Sequence, residues 1–169
     1  GYFNLKCNFL SKKKYFIEPK LQLIDKKNFI MVDFPDSEVC IRDGVLYWHG
    51  KVKPTSVSKE YYLKLEYRMG KYPKAWLLKE VLDEKTAYYI PHHYAVDVKE
   101  GTIELCLFKP KMKEWMKHYP LSKTIIPWAI EWIYYYEIWQ ITGEWKGGGD
   151  HPTPKDCKNS TEYREKFDL

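Results

Sequence analysis

The sequence predicts an α+β domain: an antiparallel meander of about four strands over residues 38–82, closed by C-terminal helices. Three observations carry this reading. An Asp-Gly pair lies between two apolar runs, residues 60–69 alternate strictly, and residues 124–140 are rich in tryptophan at helical spacing.

Residues 1–37 carry no pattern that assigns a structure. Pro19 followed by Leu21, Leu23 and Ile24 offers the start of a short helix. No clean 3.6-residue period continues, so no conventional N-terminal helix is predicted. From Glu38 the signal sharpens. Val39-Cys40-Ile41 and Val45-Leu46-Tyr47-Trp48 flank Arg42-Asp43-Gly44, and Asp-Gly tolerates the positive φ that a tight hairpin turn demands. Pro54-Thr55-Ser56 ends the second strand. In the third, Tyr61, Leu63, Leu65, Tyr67 and Met69 share one face. Tyr62, Lys64, Glu66 and Arg68 share the other, as in a strand with one wet side. Gly70-Lys71-Tyr72-Pro73 turns the chain into a fourth strand, Ala75 to Val81.

Residues 83–102 read as an irregular excursion, and residues 103–108 return to an extended segment. Lys111 to His118 reads as a short helix with Trp115 inward. Thr124 to Gln140 is the strongest helix, because Trp128, Trp132, Ile133, Tyr136 and Trp139 recur at three- and four-residue steps. Pro127 fits its first turn and Gly143 its stop. Gly147-Gly148-Gly149 then breaks regular structure. The chain divides into an N-terminal segment (1–37), one domain (38–149) and a polar tail (150–169).

The length, 169 residues, suits one domain, and 44% hydrophobic residues suffice for a core. The net charge of +5 is a mild lysine excess. Its clusters, Lys12-Lys13-Lys14 and Lys109/Lys111/Lys113, are not interleaved with aromatics, so they read as solvated lysines and no nucleic-acid partner is expected. No signal peptide is expected, and no apolar run nears the length of a membrane span. The four cysteines form no CxxC pair, and the expectation is a reduced, cytoplasmic protein with free thiols. Aromatics reach 17%, a surplus that offers a homodimer face.

Cys106 offers the most chemistry in the chain. Alternation puts Ile103, Leu105 and Leu107 on one face and Cys106 on the other, with Glu104 and Phe108. Pro91-His92-His93 and Gly101 precede this segment; Pro110 and Glu114-Trp115 follow it. A thiolate can carry an acyl group as a thioester. Cys7, Cys40 and Cys157 have no comparable surroundings. His92, His93, Cys106, His151 and Cys157 offer zinc-binding atoms, but their spacing matches no compact finger, and neighbouring histidines in an extended loop point apart. The glycine triplet lacks the Gly-Lys-Ser/Thr ending of a phosphate loop. Neither metal nor cofactor is expected.

Trp48, Tyr72-Pro73, Pro91-His92-His93, Cys106-Leu107 and Trp115 follow one another in the order of the ubiquitin-conjugating enzymes, which the chain resembles over roughly residues 38–142. More narrowly, it resembles the stand-alone bacterial conjugating-enzyme-like proteins of short type II CBASS anti-phage operons. The residues that carry this are Leu105-Cys106-Leu107-Phe108, Thr124-Ile125-Ile126-Pro127-Trp128, Glu131-Trp132, Tyr136-Glu137, Thr142-Gly143-Glu144-Trp145 and Gly147-Gly148-Gly149-Asp150-His151-Pro152. The asparagine those enzymes carry before the cysteine is replaced here; His93 and Tyr94 stand nearby.

The resemblance implies transthioesterification. Cys106 takes the C-terminal tail of a cGAS-like nucleotidyltransferase as a thioester, and an amine, usually an acceptor protein's lysine, then attacks it. His92 and His93 are the candidates to move a proton or to stabilise the oxyanion. Lys109 and Lys111 favour the thiolate while Glu104 opposes it. Asp97 and Glu114 are weaker candidates for orienting the amine. Two rival readings use the same residues: a cysteine hydrolase with His92 or His118 as base, and a non-catalytic adaptor of the same fold.

Overall fold

A computed structural model describes residues 22–149. Cys7, Lys12-Lys13-Lys14, His151, Cys157 and the tail beyond Gly149 lie outside the described residues. The architecture is α+β, as expected. A six-stranded antiparallel sheet in the order β1-β2-β3-β4-β6-β5 packs beneath two α-helices.

The meander matches its sequence pattern closely. β1 (Glu38–Arg42) and β2 (Val45–Val52) pair with Arg42 opposite Val45. Asp43 and Gly44 between them have φ of 51° and 72°, the double positive of a type I′ turn. β3 (Tyr61–Arg68) buries Tyr61, Leu63, Leu65 and Tyr67. β4 (Lys74–Leu78) stops earlier than expected, at a residue followed by Lys79 with φ 60°.

The excursion is more ordered than its sequence suggests. A 3₁₀ turn at Ala87–Tyr89 leads into β5 (His93–Asp97), which pairs back on β6 (Thr102–Leu105). β6 also pairs with β4, so β5 becomes the sheet edge. A register irregularity between His93 and Val96 interrupts the pairing, which explains the lack of clean alternation. The β5–β6 turn requires Gly101. Its φ is 64°, and a Cβ there would lie 2.2 Å from the Glu80 carbonyl oxygen.

An N-terminal helix is present, contrary to expectation: α1, Leu23–Asp33. Asp25 accepts a hydrogen bond from the Gln22 N–H at its start. Its period is hidden because the side chains it buries are Lys26 and Ile30, while Ile24, Met31 and Val32 are exposed. Lys26 is fully enclosed. Its Nζ donates to the carbonyls of Lys117 (2.8 Å) and Tyr119 (2.7 Å) and lies over the rings of Tyr67 and Trp115. A hydrophobicity pattern scores such a residue as outward-facing.

The short helix expected over 111–118 is not there. Pro110–Met112 makes one 3₁₀ turn and Lys113 takes a left-handed conformation, φ 53°. Trp115 is nonetheless buried, as expected. After a 3₁₀ turn at Leu121–Lys123 comes one long helix, α2 (Ile125–Thr142), where C-terminal helices were predicted. Gly143, φ 72°, caps it by donating to Trp139. Glu137 ties α2 to the sheet side, accepting from Ser58 (2.8 Å) and Tyr61 (2.9 Å).

Candidate functional site

β6 ends at Leu105, so Cys106 begins a loop whose direction is set by the strand behind it. Ile103 and Leu105 are buried, and Cys106 is half-buried. The alternation read from sequence therefore holds as far as the cysteine, although the strand itself stops one residue short of it.

Two bonds fix the cysteine against its neighbours. The Cys106 N–H donates to the His92 carbonyl at 3.0 Å. The same carbonyl accepts the Trp132 indole N–H at 2.8 Å. His92 pays for this arrangement with a left-handed backbone, φ 52°, which costs a non-glycine residue about 1–2 kcal/mol. A loop residue, the cysteine and α2 thus converge on one oxygen atom.

Cys106 opens onto a cleft of about 410 Å³. α2 supplies one wall with Trp128, Trp132 and Tyr135, spaced so that all three share a helix face, and Glu131 stands on the same face. Leu107 and Phe108 extend the floor past the cysteine. Phe108 packs at 5.8 Å from Tyr72, 6.3 Å from Trp115 and 6.3 Å from Trp128. Lys109 and Glu114 stand on the loop side, where a Glu114 carboxylate oxygen accepts the Lys109 N–H at 2.6 Å.

The remaining wall is the segment after α2. Thr142 Oγ1 accepts the Glu144 N–H and donates to Ile138, which turns the chain back along the helix. Trp145 then packs on Trp132 (5.5 Å) and His92 (5.2 Å). Gly147 rests on Tyr135 and Trp145 so closely that a Cβ would lie 2.7–2.8 Å from them. A Cβ on Gly149 would approach His92 Cε1 to 3.5 Å. The triplet read from sequence as a break in regular structure is a wall of the cleft.

His92 and Cys106 line the same cleft; His93 does not. His93 is buried in β5 opposite Leu105, with its Nδ1–H donated to the Ile90 carbonyl. Burial lowers its pKa, and the Ile90 bond only partly offsets that. Asp97 accepts the Glu100 N–H in the β5–β6 turn, outside the cleft lining. His118 packs edge-on against Tyr119, also outside it. Lys109 and Glu114 are in the lining, whereas Glu104 and Lys111 are not.

Three contributors escaped the reading of the residues as site members. Trp132, read from sequence as part of the helix's recurring aromatic pattern, is buried, and its indole N–H also holds the His92 loop. Glu131 stands in the family signature without an assigned role, and Tyr135 is visible only as a helix position. The three-, four- and seven-residue offsets of Glu131, Trp132 and Tyr135 from Trp128 are the available signal. Among the described residues, no helix is long and apolar enough to cross a membrane.

The family described as type II CBASS E2 protein matches residues 26–152, which includes most of α1, the whole sheet, Cys106 and α2. No curated protein matches the chain.

Proposed function

The chain belongs to the type II CBASS E2 proteins, and from that premise we propose that it is an acyl carrier for a protein C-terminus. In this reading Cys106 forms a thioester with the C-terminal tail of a cGAS-like nucleotidyltransferase and passes the acyl group to an amine. The transfer regulates anti-phage cyclic-oligonucleotide signalling in the cytoplasm.

The observation that carries the reading is the placement of Cys106. It is a cysteine at a strand end, facing a cleft, with its backbone N–H fixed by the His92 carbonyl. An incoming carbonyl needs access to sulfur and a rigid approach path, and both are supported by this geometry. In the first half-reaction the Cys106 thiolate adds to the activated carbonyl, and the original leaving group departs with the electron pair. In the second, a neutral amine adds, the C–S bond breaks, and the proton lost by nitrogen ends on the Cys106 sulfur, leaving an amide and a thiol. Both steps pass through an oxyanion.

His92 is the residue we assign to proton movement beside the sulfur, because it shares the cleft. His93 is assigned a positioning role instead: it is buried, kept neutral by desolvation, and bonded to Ile90 at the entrance to β5. Lys109 is the cleft cation best placed to favour the thiolate.

The test is co-expression with the cGAS-like nucleotidyltransferase of the same operon, followed by separation without reductant. The reading predicts a covalent adduct that hydroxylamine and thiols release and that Cys106→Ala lacks. Wild-type signalling with Cys106→Ala would support an adaptor instead. Turnover of small activated esters without adduct would support a hydrolase.

A further inference from the structure

Resting on the acyl-transfer reading above, we propose that the cleft selects its acceptor by charge. Glu131 and the aromatic face of α2 bind a primary ammonium on an aliphatic stem, so that a lysine-type amine is concentrated beside the Cys106 thioester.

The argument begins with helix geometry. Trp128, Glu131, Trp132 and Tyr135 occupy one face of α2, and all four line the cleft that Cys106 opens onto. That face places a carboxylate among three π-systems. Indole and phenol faces attract a cation, and a carboxylate beside them completes the attraction. The methylene stem of a lysine packs on the same rings while its charged end reaches the rim. Neither water nor a neutral amine gains from both.

The other cleft carboxylate has a different task. Glu114 accepts the backbone N–H of Lys109 and braces the loop after the cysteine. Glu131 stands on the opposite wall and is exposed, within reach of an acceptor arriving from solvent. Among the described residues Lys109 is the only lysine in the lining, against the carboxylates of Glu114 and Glu131, so the balance of formal charge from these groups is negative.

The transfer step balances as follows. The bound ammonium gives one proton to solvent, and its nitrogen forms a bond to the thioester carbonyl carbon. On collapse the C–S bond breaks. The second nitrogen proton ends on the Cys106 sulfur, leaving an amide and a thiol. Glu131 acts before this, by holding the amine, so it is a specificity determinant and its effect falls on the acceptor KM.

The experiment loads wild type, Glu131→Gln and Glu131→Asp at Cys106 from the mercaptoethanesulfonate thioester of acetyl-Gly-Gly. Discharge to free lysine and to hydroxylamine, which is neutral near pH 7, is then followed by intact mass. Glu131→Gln is expected to lower the lysine-to-hydroxylamine ratio of kcat/KM about three- to five-fold, the range of an exposed charge pair. The loss should sit in the lysine KM, Glu131→Asp should recover part of it, and high salt should move wild type toward the Gln variant. An unchanged ratio overturns the inference while the acyl-transfer reading stands. An effect confined to loading from acetyl-Lys-Gly thioester would place the cation on the donor tail and overturn the acceptor assignment. If wild type takes no acyl group at residue 106, the acyl-transfer reading fails and this inference falls with it.

Discussion

The indole N–H of Trp132 donates to the backbone carbonyl of His92 at 2.8 Å, across 40 residues of sequence. Because the same oxygen accepts the Cys106 N–H at 3.0 Å, the position of the cysteine is coupled to α2 through one atom. The coupling is tested by Trp132→Phe, which keeps most of the buried ring and removes the donor. The expected loss is about 1 kcal/mol, since the carbonyl retains its Cys106 partner. Chemical denaturation measures that loss. Thioester formation should fall more than stability does, because the loop carrying His92 loses its tie to the helix.

Gly101 turns the β5–β6 hairpin against the Glu80 backbone, whose N–H donates to the Gly101 carbonyl at 2.9 Å. A Cβ there meets a backbone oxygen at 2.2 Å, and the residue also has φ 64°. Gly101→Ala should therefore destabilise the fold by about 2 kcal/mol or more, as overpacking adds to a left-handed penalty. A midpoint within error of wild type in urea would show that the hairpin can shift freely.

Lys26 gives a pH signature on the alkaline side. Burial lowers its pKa to about 8 from 10.5, with Asp25 pulling weakly the other way. Between those values the unfolded chain holds a proton that the folded chain has released, so stability rises with pH through that window. Lys26→Met should remove this slope. It should also cost about 1–3 kcal/mol at neutral pH, because the Lys117 and Tyr119 carbonyls lose their donor. Urea titrations at several pH values report both effects.

His93 gives the matching signature in acid. Its folded pKa lies below the ordinary 6.5 because it is desolvated. As pH falls through 6.5 the unfolded state takes up a proton that the folded state resists, so stability declines until the folded pKa is passed. His93→Asn, whose amide can still donate to the Ile90 carbonyl, should flatten that decline. A slope equal to wild type would place the acid sensitivity elsewhere.

The contrast between Tyr61 and Lys26 shows what the sequence made legible. Tyr61 to Tyr67 alternate because one face of β3 is buried and the other wet, and that periodicity is a direct consequence of backbone geometry. The Asp43-Gly44 turn was equally plain, since both residues need positive φ. α1 was not visible, because its buried Lys26 is satisfied by carbonyls about 90 residues away, which no local pattern records. β5 was missed because His92 has a positive φ and the pairing beyond His93 is irregular. At the site, Cys106 and His92 were identifiable by residue type, and both line the cleft. His93 has the same chemistry in sequence, but it enters β5 opposite Leu105 and does not line the cleft. The role of Trp132 depends on its contact with His92, 40 residues away, and those of Gly147 and Gly149 depend on the chain folding back after Gly143.

The central claim is that the residue 106 side chain holds another polypeptide's C-terminus. Its most direct test is mass mapping of Cys106→Ser purified with the cGAS-like nucleotidyltransferase, since serine should trap the acyl group as a longer-lived oxyester. The account predicts a branched peptide joining the partner's last residue to residue 106. A partner recovered without that linkage, or a linkage that persists in Cys106→Ala, would contradict it.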